Sequence, residues 1–223
     1  MERFARNKCT INDQEQALLA SKKVLVIGSG GLGSHVCEGL SRIGITHIGI
    51  CDFDTIETSN LNRQLLALES TIDIEKAILA KKRMQEINSD IQVKTYISKY
   101  PSQEILDDMS SYDIVIDCLD SIETRKILEQ DCVSRNLPLI YGTIAGSYGY
   151  FGVITKDNLL VKLQQKRGES IEKVLGNPYY TVAIMAALQL KLCIDVLLNR
   201  DVFTKGFYTI DLIDFSIDKI ELN

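Results

Sequence analysis

Gly28, Gly30, Gly31 and Gly33 fall within six residues, and Asp52 follows nineteen residues after the last of them. Three of the four satisfy G-x-G-x-x-G, and Gly31 adds one more. Without Cβ atoms such a turn brings backbone N–H groups close to phosphate oxygens. The helix behind it adds unpaired N–H groups and partial positive charge. An acid ending the next strand is placed to accept hydrogen bonds from ribose hydroxyls. A tight strand–helix turn with no ligand would use the same glycines. Strand, turn, helix and acid together favour a nucleotide, without separating ATP from a nicotinamide dinucleotide.

The stretch after that acid bears on the choice. DFDTIETSNLNRQ, residues 52–64, is a polar loop carrying Asp54, Asn60, Arg63 and Gln64. Hydride transfer has little need of Arg63 there. Chemistry on a triphosphate does, because charge spreads over the phosphoryl oxygens in the transition state. Lys76 opens the next helical pattern and supplies a second cation. Asp120 ends a later strand and could hold Mg²⁺, which takes one or two carboxylates plus phosphate oxygens. Each has a structural alternative: Arg63 as a solvated loop cation, Lys76 as part of an exposed face with Lys81 and Lys82, Asp120 as a helix cap. His35 and His47, the two histidines, have no cysteine or carboxylate at a recognisable catalytic spacing and read as structural.

The elements needed to position these residues follow from the pattern. KVLVIG (23–28) reads as a strand buried on both faces, 31–44 as a helix ended by Gly44, and 46–52 as a second strand. A helix over 75–88, a strand over 91–97, a strand over 112–120, a helix over 121–136 and a strand over 137–144 continue the alternation. Such alternation implies an α/β, Rossmann-like, doubly wound and mostly parallel sheet. After Ile144 the pattern changes. Residues 147–155, 206–213 and 214–222 look like antiparallel strands extending the sheet, 156–177 like an exposed crossover loop, and 178–199 like an apolar helix. The division expected is one domain: an arm and helix over 1–22, a nucleotide-binding half over 23–144, and a β extension over 145–223.

Composition narrows the class. Of the residues, 45% are hydrophobic and 25% charged, with a net charge of −5. A duplex-binding protein carries a surplus of Lys and Arg, so nucleic acid is not the expected partner. The longest apolar run, 181–199, is broken by Gln189, Lys191 and Asp195, so a membrane span is not expected either. The opening residues carry no secretory pattern, and a cytoplasmic location is the expectation. None of the six cysteines forms a C-x-x-C pair. No zinc is expected.

Taken together, RFARN (3–7), GSGGLGS (28–34), DFDTIETSNLNRQ (52–64), Lys76, DCLDSIETR (117–125) and PLIYGTIAGSYG (138–149) resemble the ThiF/MoeB/HesA family. These are relatives of the ubiquitin-activating enzymes that adenylate small sulfur-carrier proteins. The resemblance implies that Gly28, Gly30 and Gly31 lie under ATP, with Asp52 on the ribose. Asn60, Arg63 and Gln64 would contact phosphates and the attacking carboxylate. Lys76 would stabilise the phosphates, Asp120 would bind Mg²⁺, and Asp54, Leu119 and Ser121 would complete the nucleotide site. Arg6 corresponds to an arginine finger entering the partner subunit's site, which requires a homodimer. The implied protein partner is a ubiquitin-like carrier with a C-terminal Gly-Gly.

The sequence also departs from that family. Many members hold zinc through two C-x-x-C pairs, and some carry a cysteine in the crossover loop that links to the carrier. Residues 156–177 contain no cysteine, and Cys193 lies in an apolar helix that keeps a thiol protonated. Adenylation without a covalent enzyme–carrier thiol is therefore expected. Ser121 stands where relatives often have Asn. Tyr148, Tyr150, Phe151, Tyr179 and Tyr180 offer either a carrier-binding surface or sheet core, and the helix near 181–198 a dimer contact. Three other readings remain: an ATP-dependent tRNA threonylcarbamoyladenosine dehydratase of the same superfamily, a nicotinamide-dependent oxidoreductase, and a binding module with a relic nucleotide site.

Overall fold

Val24, Leu25, Val26 and Ile27 form the buried body of β1 (Lys23–Ile27), and none of the four is exposed. A strand apolar on both faces must be covered on both faces, each such side chain contributing roughly 1.5–3 kcal/mol. β2 (His47–Cys51) and β3 (Gln92–Tyr96) lie to one side of β1, and β4 (Ile114–Asp117) and β5 (Leu139–Ala145) to the other, all parallel. The structure is a computed structural model describing residues 2–156, 159–167 and 175–222.

The sheet has eight strands in the order β3-β2-β1-β4-β5-β6-β7-β8. β6 (Tyr148–Ile154), β7 (Gly206–Asp211) and β8 (Ser216–Glu221) add antiparallel to β5, as the sequence pattern predicts. α1 (Asp13–Ser21), α2 (Gly31–Ile43) and α3 (Lys76–Ile87) supply side chains to the core on one face. α4 (Gln103–Asp108) and α5 (Ile122–Ser134) supply the other.

One expectation changes. The crossover 156–177 is not wholly an exposed loop. It contains α6 (Leu159–Arg167), whose Leu159, Leu160 and Leu163 enter the second core, and Glu129 of α5 accepts from the Leu159 and Leu160 N–H groups at 2.8 and 3.2 Å. Residues 157–158 and 168–174 of that stretch lie outside the described residues. The apolar helix is α7 (Tyr179–Leu197), long and apolar enough to cross a membrane by composition. Its Val182, Met185, Ala186 and Cys193 instead fill the first core against α2 and the sheet. Tyr179, Tyr180 and Ile184 are its exposed large side chains.

Candidate active site

The chain passes from β1 through α2 and β2 to β3, then returns to place β4 on the other side of β1. That reversal opens a crevice at the strands' C-terminal ends, where ligands bind in open α/β sheets. A cleft of about 500 Å³ lies there, within the usual range for small-molecule sites. It is lined by Gly28, Gly30, Gly31, Asp52, Asp54, Asn60, Arg63, Gln64, Lys76, Leu119, Asp120 and Ser121. Every nucleotide-contact residue named from the sequence therefore reaches one cavity.

The glycine turn is dictated by clearance. Gly28 sits at φ 95°, and a Cβ there would come within 2.5 Å of the Cys118 carbonyl oxygen. β1 and β4 end too close together for any side chain between them. Gly31, the first residue of α2, leaves room for Val182 of α7 and the Arg63 side chain, 3.4 and 3.8 Å from where its Cβ would be.

Asp52 does more than wait for a ribose. Its Oδ2 accepts from the Ser29 N–H at 2.6 Å and the Ser29 hydroxyl at 3.2 Å, and its Oδ1 accepts from the Asp54 N–H at 2.9 Å. The carboxylate thus ties the glycine turn to the polar loop, while Oδ1 keeps acceptor capacity. Lys76 is buried and not part of an exposed face. Its Nζ lies 2.9 Å from Asp54 Oδ2, and its N–H donates to the Asp54 carbonyl at 3.0 Å. Burying an ammonium without a counter-charge would be costly, and Asp54 supplies that counter-charge at the cleft wall.

Arg63 Nη1 donates to the Ser59 carbonyl at 3.0 Å and Asn62 Oδ1 at 2.7 Å. Nε and Nη2 are left for a ligand. Asn60 is buried, its Oδ1 accepting from the Glu57 N–H at 3.2 Å, so it shapes the loop as well as lining the cleft. Gln64 is buried with Oε1 unpartnered in a polar cleft, a group that needs a donor. His35, behind this loop, meets Tyr179 edge to face at 5.4 Å. Burial lowers its pKa, although a backbone hydrogen bond to Arg63 opposes that, so the ring is a neutral support.

Asp120 is exposed and, among the described residues, has no hydrogen bond or ion pair. It does not cap α5; Ser121 does, its Oγ accepting from the Thr124 N–H at 3.3 Å. No cluster of three or more His, Cys, Asp or Glu side chains among the described residues could hold a metal alone. A single carboxylate at the cleft nevertheless fits Mg²⁺, an ion that takes one or two carboxylates alongside phosphate oxygens and water.

The cleft also contains thiols. Burial and the neighbouring Asp52 charge push Cys51 up to about 12, and burial raises Cys118 well above its usual value. Cys193 is likewise raised by burial. All stay protonated near neutrality and are not nucleophiles.

Arg6 stands apart. It lies in a 3-10 turn (Glu2–Asn7) whose Phe4 packs under Gly44 at the C-terminal end of α2. The glycine turn is at the other end of that helix, roughly 20 Å away along its axis. Arg6 therefore does not line its own chain's cleft. Phe151, named as a possible binding surface, is core, stacked on Tyr208 at 5.0 Å, whereas Tyr148, Tyr179 and Tyr180 are exposed.

Sequence reasoning missed the far wall: Phe53, Ser98, Lys99 and Tyr100. Lys99 Nζ sits over the Phe53 ring at 5.9 Å. No spacing marks these residues, because the loop after β3 meets the loop after β2 only in the folded sheet. Arg125 was visible only as the last letter of a motif.

The comparisons agree with this geometry. The ThiF family model matches residues 4–223. The chain is 39% identical over 145 residues to an adenylyltransferase and sulfurtransferase MOCS3 of Dictyostelium discoideum, across 64% of this chain and 34% of that protein. It is 33% identical over 140 residues to a molybdopterin-synthase adenylyltransferase of Haemophilus influenzae, across 63% of this chain and 58% of that one. The chain thus spans less than two thirds of these relatives' lengths. Among solved structures, E. coli MccB with ATP superposes at TM-score 0.80 with 21% identity, covering 99% of this chain and 71% of that one. E. coli tRNA N6-threonylcarbamoyladenosine dehydratase, TcdA, superposes at 0.74 with 21% identity, covering 89% and 95%. At that identity the superpositions establish the fold. The glycine turn, the acid-held polar loop and a family match running nearly end to end lead to one statement: this chain belongs to the ThiF family.

Proposed function

We propose that this chain uses ATP to adenylate the C-terminal carboxylate of a small ubiquitin-like sulfur-carrier protein, releasing pyrophosphate. The observation that carries the reading is the division of charge across one cleft. Arg63 of the polar loop and the buried Lys76 at the start of α3, paired with Asp54 of that loop, stand on one wall. Asp120, free of any partner among the described residues, stands on the wall built by β4.

In this reading the triphosphate lies along the glycine turn between those walls. The carrier's terminal carboxylate, ionised near pH 7, attacks the α-phosphorus without a general base. A bond forms between carboxylate oxygen and phosphorus. The bond from the α-phosphorus to the bridging oxygen breaks, and pyrophosphate leaves with the electron pair. Arg63 and Lys76 neutralise charge accumulating on the phosphoryl oxygens, Gln64 orients the incoming carboxylate, and Asp52 holds the ribose. Asp120 would hold Mg²⁺, which supplies further charge neutralisation when bound. A homodimer would bring Arg6 of each chain to the other's cleft.

The carrier would rest on the outer sheet. The turn between β7 and β8 lies on the cleft side, since Asp211 pairs with Tyr148 and Tyr148 with Ala145 at the end of β5. Exposed Tyr148, Tyr180, Ile213 and Phe215 give that edge apolar surface next to the cleft. The name of the Haemophilus influenzae relative, a molybdopterin-synthase adenylyltransferase, favours a carrier of molybdopterin synthesis over one of thiamine synthesis.

The likeness to TcdA keeps a second reading in view, an ATP-dependent dehydratase acting on a modified tRNA base. ATP–pyrophosphate exchange over a panel of small proteins ending in Gly-Gly, with tRNA as the competing substrate, decides between them. Exchange dependent on one carrier supports the proposal. Turnover with tRNA and none with any carrier replaces it.

A further inference from the structure

At the floor of the cleft, which Arg125 helps to line, lies a buried pair of opposite charges to which the proposed reaction gives no task. Asp117, the last residue of β4, has no exposed surface. Its Oδ1 accepts from the Leu119 N–H at 2.9 Å, and its Oδ2 lies 3.7 Å from Arg125 Nε. Arg125, in the first turn of α5, is 5% exposed. Its Nη1 donates to the Gly142 carbonyl of β5 at 3.1 Å, and its Nη2 donates to the Leu119 carbonyl. From the other face, Gln189 of α7 donates to the Asp117 carbonyl at 2.7 Å.

Leu119 is therefore gripped on both sides, its N–H by the carboxylate and its C=O by the guanidinium. The next residue is Asp120, the free carboxylate of the cleft. Asp120 has no partner among the described residues, so what sets its position is the backbone before it and the Ser121 cap after it.

Stability alone is a poor account of the pair. Replacing a buried ion pair with apolar side chains of similar volume is often neutral or stabilising, because desolvation offsets the attraction. What the pair supplies is geometry. A planar guanidinium reaches the Leu119 carbonyl in the loop after β4 and the Gly142 carbonyl of β5 in one rigid fork, which an ammonium cannot reproduce. We infer that Arg125 is a positioning residue: by fastening the Leu119 carbonyl to the Gly142 carbonyl, it fixes where the Asp120 carboxylate stands over the cleft. What Asp120 does there rests on the function proposed above. That Arg125 acts through Asp120 is tested separately.

The test is a double-mutant cycle on ATP binding, measured by calorimetry in excess Mg²⁺ with no carrier. Arg125→Lys keeps the charge and loses the fork. We expect Asp120→Ala to weaken ATP about tenfold, Arg125→Lys about fivefold, and the double variant no more than about twofold beyond Asp120→Ala alone. Melting of Arg125→Lys should stay within roughly 5 °C of the parent. A merely structural arginine would give losses that multiply, about fiftyfold in the double variant, and that result overturns the inference. So does an Asp120→Ala protein that binds ATP like the parent. Should Arg125→Lys not fold, Asp117→Asn replaces it; this variant keeps the side chain's shape and the acceptor for Leu119. It must show the same non-additivity with Asp120→Ala, and multiplying losses would overturn the inference equally. A parent protein that binds ATP yet exchanges pyrophosphate with no carrier defeats the proposed function and leaves this cycle readable.

Discussion

β4 and β8 belong to one sheet and meet opposite surroundings. All four residues of β4 are buried. In β8 Ile217 is half exposed, and in the turn before it Ile213 and Phe215 are 66% and 82% exposed. A parallel strand in the middle of an α/β sheet has helices on both faces, so packing fixes each of its residues. An antiparallel strand at the sheet's edge needs one covered face at most. Apolar side chains that such an edge keeps in water contribute little to folding. The difference separates two kinds of residue: those near the cleft that position chemistry, and those on the outer hairpin that the fold does not require.

Four measurements would break or sharpen that separation. The largest effect belongs to the glycine turn. A Cβ on Gly33 would lie 1.9 Å from the Gly28 carbonyl oxygen, whereas one on Gly176, at φ 72°, meets nothing within 4 Å. Gly33→Ala should lose more than about 3 kcal/mol and Gly176→Ala about 1–2 kcal/mol from backbone strain alone, read from urea unfolding. Comparable losses at both would mean that the turn is not clearance-limited.

Next is Arg63→Ala. The side chain is on the cleft surface and bonds only its own loop, so removal should slow carrier-dependent exchange by roughly 10²–10³-fold, with melting within about 2 °C of the parent. Exchange at the parent rate would remove the electrostatic basis of the proposed reaction.

On the outer hairpin the expected pattern reverses. Ile213→Ser with Phe215→Ser should raise the carrier's KM about tenfold while leaving the KM for ATP and the unfolding midpoint where they were. A loss of stability instead would show that these side chains serve the fold after all.

The smallest effect concerns pH. Glu38 of α2 is pushed up by burial, but hydrogen bonds from Arg83 and Arg42 outweigh that and hold its carboxyl below 4.5. A depressed folded-state pKa gives stability that is present above 4.5 and lost as pH falls through the folded value. Between pH 7 and pH 3, Glu38→Gln should therefore lose less stability than the parent in urea titrations. An identical decline in both would remove Glu38 from the acid response.

Much of the fold and the site is legible along the chain because its causes are local. Val24 to Ile27 announce a buried strand, four glycines announce a turn without clearance for side chains, and 46–144 alternates strand with helix. The antiparallel extension is equally readable, since Tyr148 to Ile154 follow Ala145 after only two residues. What escaped notice was long-range. The leucines of α6 have weak periodicity, and their burial depends on α5 presenting Glu129 to the helix start. Phe53 and Lys99 are ordinary loop residues until β2 and β3 lie side by side.

The sequence by itself determined the nucleotide turn, the acid that follows it and the set of charged side chains required, because residue type and spacing settle which backbone conformations and which charges are available. Only the tertiary structure decided how those charges are shared. It paired Lys76 with Asp54, spent part of Asp52 on the glycine turn, left Asp120 without a partner among the described residues, and fastened Arg125 to the carbonyl of Leu119 just before it. It also placed Arg6 at the far end of α2 from its own cleft. Partnership in a low-dielectric interior depends on distances of a few ångströms between residues far apart in the chain, and those distances exist only once the sheet has assembled.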